Sequence, residues 1–286
     1  MKQLEFLEPK TLKEACTLIS KYKAQAMFIS GGQSLVPILQ SRLANVDYLI
    51  DLKGITDLNY IRSDTDGIRI GAVTTEQDVY ESDLIRQYFP ILTEAIHTIG
   101  SWQIRNWGTI GGSLAHADPS GDIAPTLMAL KARVKARSLG GEREISIDEL
   151  PVDWLQNSLE TGEVLTEIII PYLGPKSGGV YAKEVIRTGD TGISSLAVLV
   201  SLDNENKVKD ASIVLGCQSS RPIRAIKTEK QAVGLGEDSD IRNLEETIAT
   251  EANPVEDTLG SIEYKLDLAR ILIRHVVPES IKRAKQ

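Results

Sequence analysis

The chain has 286 residues, 42% of them hydrophobic and 25% charged, which suffices for two or three compact units with buried cores. Its formal net charge of -8 and pI near 5.1 exclude general electrostatic attraction to nucleic acid or to anionic membrane surfaces, which carry the same sign of charge. The first residues lack the basic start and apolar run of a secretory signal and no later apolar run approaches membrane-spanning length, so a cytoplasmic location without membrane insertion is expected.

Thr11 and Glu14 stand at capping-box spacing, and Leu12, Ala15, Leu18 and Ile19 follow at helical intervals, which predicts a first helix. The apolar run 26–29 then reads as a strand that ends on the turn Ser30, Gly31, Gly32, Gln33, Ser34. Leu35, Ile38, Leu39 and Leu43 resume helical spacing, with Ser34 as cap and Pro37 in the first turn. Ile68 and Ile70 alternate with polar residues as a strand, and Thr75 with Asp78 caps a helix running through Leu84 and Ile85. A short apolar helix is expected over 123–130. Residues 131–137 then alternate strictly, as in a strand with one solvated face, and Gly140 and Gly141 turn it into a hairpin through Ile145 and Ile147. With a buried strand over 164–171, this sheet reads as mixed. Loop formers gather over 173–179 and mark a boundary. Beyond it come apolar strands over 193–202 and 211–216, then a helix on which Leu266, Ala269, Ile273 and Val276 share a face. The order suggests α+β. No repeat at solenoid periods is present.

Two glycine-rich stretches carry the chemistry. The first, 30–35, joins a strand end to a helix start, where backbone N–H groups can converge on an anion; taken alone, it is better explained as an ordinary connection with no ligand. The second, 108–122, crowds small residues and the carboxylates of Asp118 and Asp122 into an apolar context. It has neither the Lys-Ser/Thr of a P-loop nor a Gly-x-Gly-x-x-Gly fingerprint. His97, His116 and His275 lack metal-ligand spacing. Cys16 and Cys217 are too few for an iron–sulfur cluster and are expected as reduced, partly buried residues.

Taken together, Gly31–Leu35 as Gly-Gly-x-Ser-Leu and Thr109–Gly112 as Thr-Ile-Gly-Gly resemble the FAD-carrying medium subunits of molybdenum hydroxylases, the family of xanthine and carbon monoxide dehydrogenases. The resemblance extends through 70–75, 103–106, 221–225 and 263–265; Ser113 departs from it, since many relatives have Asn there. It implies an α+β protein: a two-subdomain FAD-binding fold of the vanillyl-alcohol-oxidase-like type over 1–60 and 61–175, then a C-terminal α+β domain over 176–286. It further implies that Ser30, Gly31, Gly32, Gln33, Ser34 and Leu35, with Thr109, Ile110, Gly111, Gly112 and Ser113, hold the FAD pyrophosphate. Asp122 would approach the adenosine end, and Leu165, Lys183 and Asp190 would lie near the flavin. No residue need be a catalytic acid or base. The implied partners are a molybdenum-containing large subunit and an iron–sulfur small subunit, with NAD or a quinone as acceptor. The loop 187–192 would border the flavin, with Thr191 where some relatives carry an aromatic. A stand-alone FAD oxidoreductase and a non-enzymatic anion-binding module remain the alternatives.

Overall fold

The structure, a computed structural model, describes residues 4–286. The first layer contains β1 (Glu5–Leu7), α1 (Leu12–Tyr22), β2 (Ala26–Ile29), α2 (Leu35–Gln40) and β3 (Tyr48–Asp51). Its sheet is parallel in the order β1-β3-β2, and Ala15, Cys16 and Ile19 of α1 pack on Ile50 beneath it. Thr11 caps α1 by accepting from the Glu14 N–H at 3.2 Å. The Glu14 carboxylate reaches one residue further back than the expected box, accepting from the Lys10 N–H. The expected cap by Ser34 is absent. Its backbone is already helical, its hydroxyl makes no capping bond, and Val36 N–H closes directly onto Gly32 O at 3.0 Å. α2 also stops at Gln40, so Leu43 is 80% exposed rather than part of a helical face.

The second layer is β4 (Ile61–Ser63), β5 (Gly67–Gly71), α3 (Glu76–Glu81), α4 (Asp83–Tyr88), α5 (Pro90–His97), α6 (Trp102–Arg105), α7 (Ile110–His116), α8 (Ile123–Ala129), β6 (Arg133–Ser138), β7 (Gly141–Ser146), β8 (Pro151–Asp153), β9 (Gln156–Asn157) and β10 (Val164–Pro171). The five-stranded sheet has the order β4-β5-β10-β6-β7, with a separate β8-β9 ribbon. It was expected to be mixed and is antiparallel throughout: β4–β5 and β6–β7 are paired as hairpins, and β10 enters antiparallel to both β5 and β6. Val134, Ala136, Ile68, Ile70, Ile168 and Ile170 turn one face onto the helices. The helix expected through Ile85 is two helices, because the Ser82 hydroxyl caps α4 and interrupts the first.

The third layer is β11 (Ser177–Glu184), β12 (Ser194–Leu202), β13 (Val208–Gly216), β14 (Ile223–Arg224), α9 (Ile226–Ala232), α10 (Arg242–Glu251) and α11 (Ile262–Ala284). Its antiparallel sheet, ordered β11-β12-β13-β14, is covered on both faces. Tyr181, Ala197, Leu199 and Val214 join the core of the second layer, while Leu196, Val198 and Ile213 pack with α9, α10 and α11. Two-sided burial explains why β12 reads as one apolar run. β11 begins within the stretch read as a linker, where Arg283 of α11 donates to Gly179 O at 3.0 Å. On α11, Ala269, Ile273 and Val276 are buried as expected, whereas Leu266 is only half-buried. Cys16 and Cys217 are free thiols. Among the described residues no helix is long and apolar enough to cross a membrane, and no cluster could hold a metal ion.

Candidate functional site

The two glycine turns meet. Gly31 lies so close to the start of the second turn that a β-carbon there would stand 2.0 Å from the Trp107 carbonyl oxygen and 2.8 Å from the Gly108 α-carbon. Glycine is required at residue 31 because backbone packs on backbone. The second turn is fixed from behind by a ladder in which Gly111 N–H donates to Ala72 O (2.9 Å), Ile110 N–H to Thr74 O (3.1 Å) and Ala72 N–H to Thr166 O (3.0 Å). Thr109 caps α7 through the Gly112 N–H at 3.2 Å. Gln33, Ser34 and Gly112 remain exposed at this seam, with Gly31, Gly32, Leu35 and Ser113 partly so. Ile110 and Gly111 are buried, and a β-carbon at residue 111 would meet Ala72 at 2.6 Å, so the fold itself requires glycine there.

Two shielded side-chain oxygens at the seam have no hydrogen-bond partner, Ser30 Oγ and Glu76 Oε2. Buried polar atoms are rarely left unpaired, so orphans beside exposed backbone suit a polar ligand between the turns. At the rim stands the exposed indole of Trp107, with Lys53 Nζ 4.0 Å from its ring centre.

A second polar cluster lies where the third layer meets the helices. Asp122, 6% exposed, accepts from Tyr181 Oη and from Lys183 Nζ at 3.0 Å. Lys183 donates also to Thr98 O (3.1 Å) and to Asp190 O (3.3 Å), which engages all three ammonium hydrogens. Burial, outweighing the charge of Lys183, holds the Asp122 carboxyl above its ordinary range, and burial with the Asp122 charge raises the Tyr181 hydroxyl. The Asp190 side chain is exposed, and its N–H closes the loop by donating to Arg187 O at 3.0 Å. The structure therefore joins Asp122, Lys183 and the Asp190 loop at one place. Asp122, expected at the adenosine end, and Lys183, expected near the flavin, form one ion pair. Leu165 is 5% exposed in the core of the second layer, on the strand that backs Ala72.

Sequence reasoning missed Tyr181 and Glu76. Tyr181 was legible, since it shares a face of β11 with Lys183 by the two-residue period. Glu76 carries no such signal, because an acidic residue just after a helix cap is ordinarily solvated.

Residues 2–173 match the family described as FAD binding domain in molybdopterin dehydrogenase, and residues 180–280 match the CO dehydrogenase flavoprotein C-terminal domain. The chain is 34% identical over 286 residues to the 6-hydroxypseudooxynicotine dehydrogenase complex subunit alpha of Paenarthrobacter nicotinovorans, with 98% of this chain and 95% of that one covered. It is 32% identical over 246 residues to the glyceraldehyde dehydrogenase medium chain of Sulfolobus acidocaldarius, covering 85% and 86%. Among solved structures, the reconstituted CO dehydrogenase from Oligotropha carboxidovorans is similar with a TM-score of 0.95 at 30% identity, over 98% of each chain.

Proposed function

Because this chain belongs to the family of FAD-binding medium subunits of molybdenum hydroxylases, we propose that it relays electrons through FAD from an iron–sulfur small subunit to an acceptor such as NAD or a quinone. A molybdenum-containing large subunit would carry out the oxidation that supplies those electrons. The chain is an oxidoreductase subunit that acts within a multi-subunit complex, and FAD supplies its redox chemistry.

The observation that carries the reading is the seam, where exposed backbone of both turns lies beside the unpaired Ser30 and Glu76 oxygens. In this reading residues 30–35 and 109–113 hold the pyrophosphate, with Gly111 and Ile110 acting through the backbone ladder behind it. Asp122 acts at the flavin side by orienting Lys183, and Lys183 in turn tethers the loop that carries Asp190 and Thr191. Residues 1–60 and 61–175 supply the two walls of the cleft, and residues 176–286 supply β11 and that loop.

Fluorescence titration of the purified chain tests the reading. FAD is expected to bind without a covalent link and more tightly than FMN, since only the dinucleotide offers a pyrophosphate. Equal affinity for the two would sink it. Turnover of small substrates by this chain alone, measured with an artificial acceptor, would instead favour the stand-alone enzyme.

A further inference from the structure

One side chain at the seam is not explained by the pyrophosphate turns. Glu76 opens α3 directly after its cap Thr75 and is 5% exposed. Its N–H donates to Gly108 O at 2.9 Å, which binds the residue to the entry of the second turn. Its carboxyl stands where a side chain of residue 108 would be, with Oε2 2.8 Å from the place a β-carbon would take. That oxygen is shielded and unpaired. The nearby buried cation, Arg105, is committed elsewhere, donating to Gln77 Oε1 at 3.0 Å and Ile99 O at 2.9 Å. A buried carboxylate without a partner is far more costly than a buried neutral acid, and the neutral acid also carries a hydrogen to donate.

Building on the FAD reading, we propose that Glu76 is a further residue of the cofactor site, a neutral carboxylic acid in the seam that donates its hydrogen to an oxygen of bound FAD. No covalent change is involved; the proton stays on Glu76 and is shared in a hydrogen bond. Burial first, and then the charge of Asp122, push this carboxyl up to about 7 against the opposing pull of Arg105. As pH rises through that value the donor becomes a carboxylate, which faces the negative pyrophosphate and Asp122. FAD retention therefore weakens with rising pH. The charged groups that act on Glu76 are Asp122 at the start of α8 and Arg105 from α6. Two histidines of the neighbouring helices serve as controls: His97, stacked on Tyr80 of α3 at 5.7 Å, and His116 of α7.

The test is FAD titration by fluorescence between about pH 6.5 and about pH 8.5, where a single proton allows at most about a tenfold change in Kd per pH unit. The wild-type Kd is expected to rise towards that limit above about pH 7. Glu76→Gln, whose amide can donate from the same place, is expected to bind with a flat profile, while His97→Gln and His116→Gln keep the slope. A flat wild-type profile, or an unchanged slope in Glu76→Gln, overturns the proposal. Melting of the cofactor-free proteins over the same range separates a purely structural effect, which would move Tm with pH and leave FAD affinity flat. Should Glu76→Gln not fold, infrared difference spectra of the wild-type chain with and without FAD decide the matter. A shift of a protonated-carboxyl stretch on binding supports the proposal, and its absence overturns it. Failure of the wild-type chain to bind FAD at any pH would instead sink the FAD reading itself.

Discussion

A single β-carbon tests the seam. Gly31→Ala places a methyl against the Trp107 carbonyl, which neither backbone can avoid, and overpacking of this kind costs about 1–3 kcal/mol. Denaturant unfolding of the cofactor-free protein measures it, and a change near zero would mean that the turns are free to separate. Gly111→Val is expected to fail by unfolding rather than by excluding a ligand, since it strikes Ala72. Asp122→Ala leaves the Lys183 ammonium buried without its anion and is expected to cost about 3–5 kcal/mol, read by the same unfolding experiment. The glycine turns were legible because Gly31 and its neighbours interrupt apolar periodicity at a strand end. Contacts across the chain were not: Asp122 and Lys183 were each expected at the site, but nothing in the sequence announces that they pair, and nothing near Gly31 announces Trp107.

Elements were read best where one periodicity ruled. β6 alternates because one face meets helices and the other water, and β12 reads as unbroken apolar residues because both its faces are covered. The antiparallel direction of the central sheet was not legible, since strand spacing alone says nothing about which neighbours β10 will choose. The loop between β11 and β12 is held at its root by Lys183 and at Gly189, whose α-carbon side faces the Gly100 carbonyl, while Thr191 is exposed. Thr191→Tyr is therefore expected to change the reoxidation rate of reduced flavin and leave FAD affinity nearly unchanged. Stopped-flow mixing with NAD+ and with a quinone, beside an FAD titration, checks this; unchanged rates with both acceptors would place the loop away from the flavin.

At the scale of the molecule, two carboxylates act at a distance from the seam, the half-buried Glu94 and the buried Glu167. Glu94 of α5 accepts from the Tyr181 N–H and from Arg283 of α11, joining the second layer to both ends of the third. Glu94→Ala is expected to raise amide hydrogen exchange along β11 and the end of α11, and protection equal to wild type would contradict the joint. On the outer face of the central sheet, Glu167 accepts from Tyr60 at 2.6 Å and pairs with Arg69 and Lys135, each at 3.2 Å. Burial alone would raise this carboxyl, but the bonds from Tyr60 and Lys135 and the charge of Lys135 hold it below its ordinary 4.5. Its contribution to stability is therefore complete above that value and is lost as pH falls through the lowered one. Thermal melting at acid pH should show a steeper loss for wild type than for Glu167→Gln.

The meeting of Gly31 with Trp107 and Gly108 also bears on how the subunit is made. On a ribosome the first turn emerges long before the second, and until residue 108 has been extruded the first turn is an open half-cradle. FAD captured after that point would favour the closed seam by mass action, stabilising the state in which the first two layers are docked. A cell short of flavin would accordingly accumulate a chain whose first layer is made but loosely docked, and nascent-chain proteolysis with and without added FAD would reveal it as excess cleavage between α2 and β4.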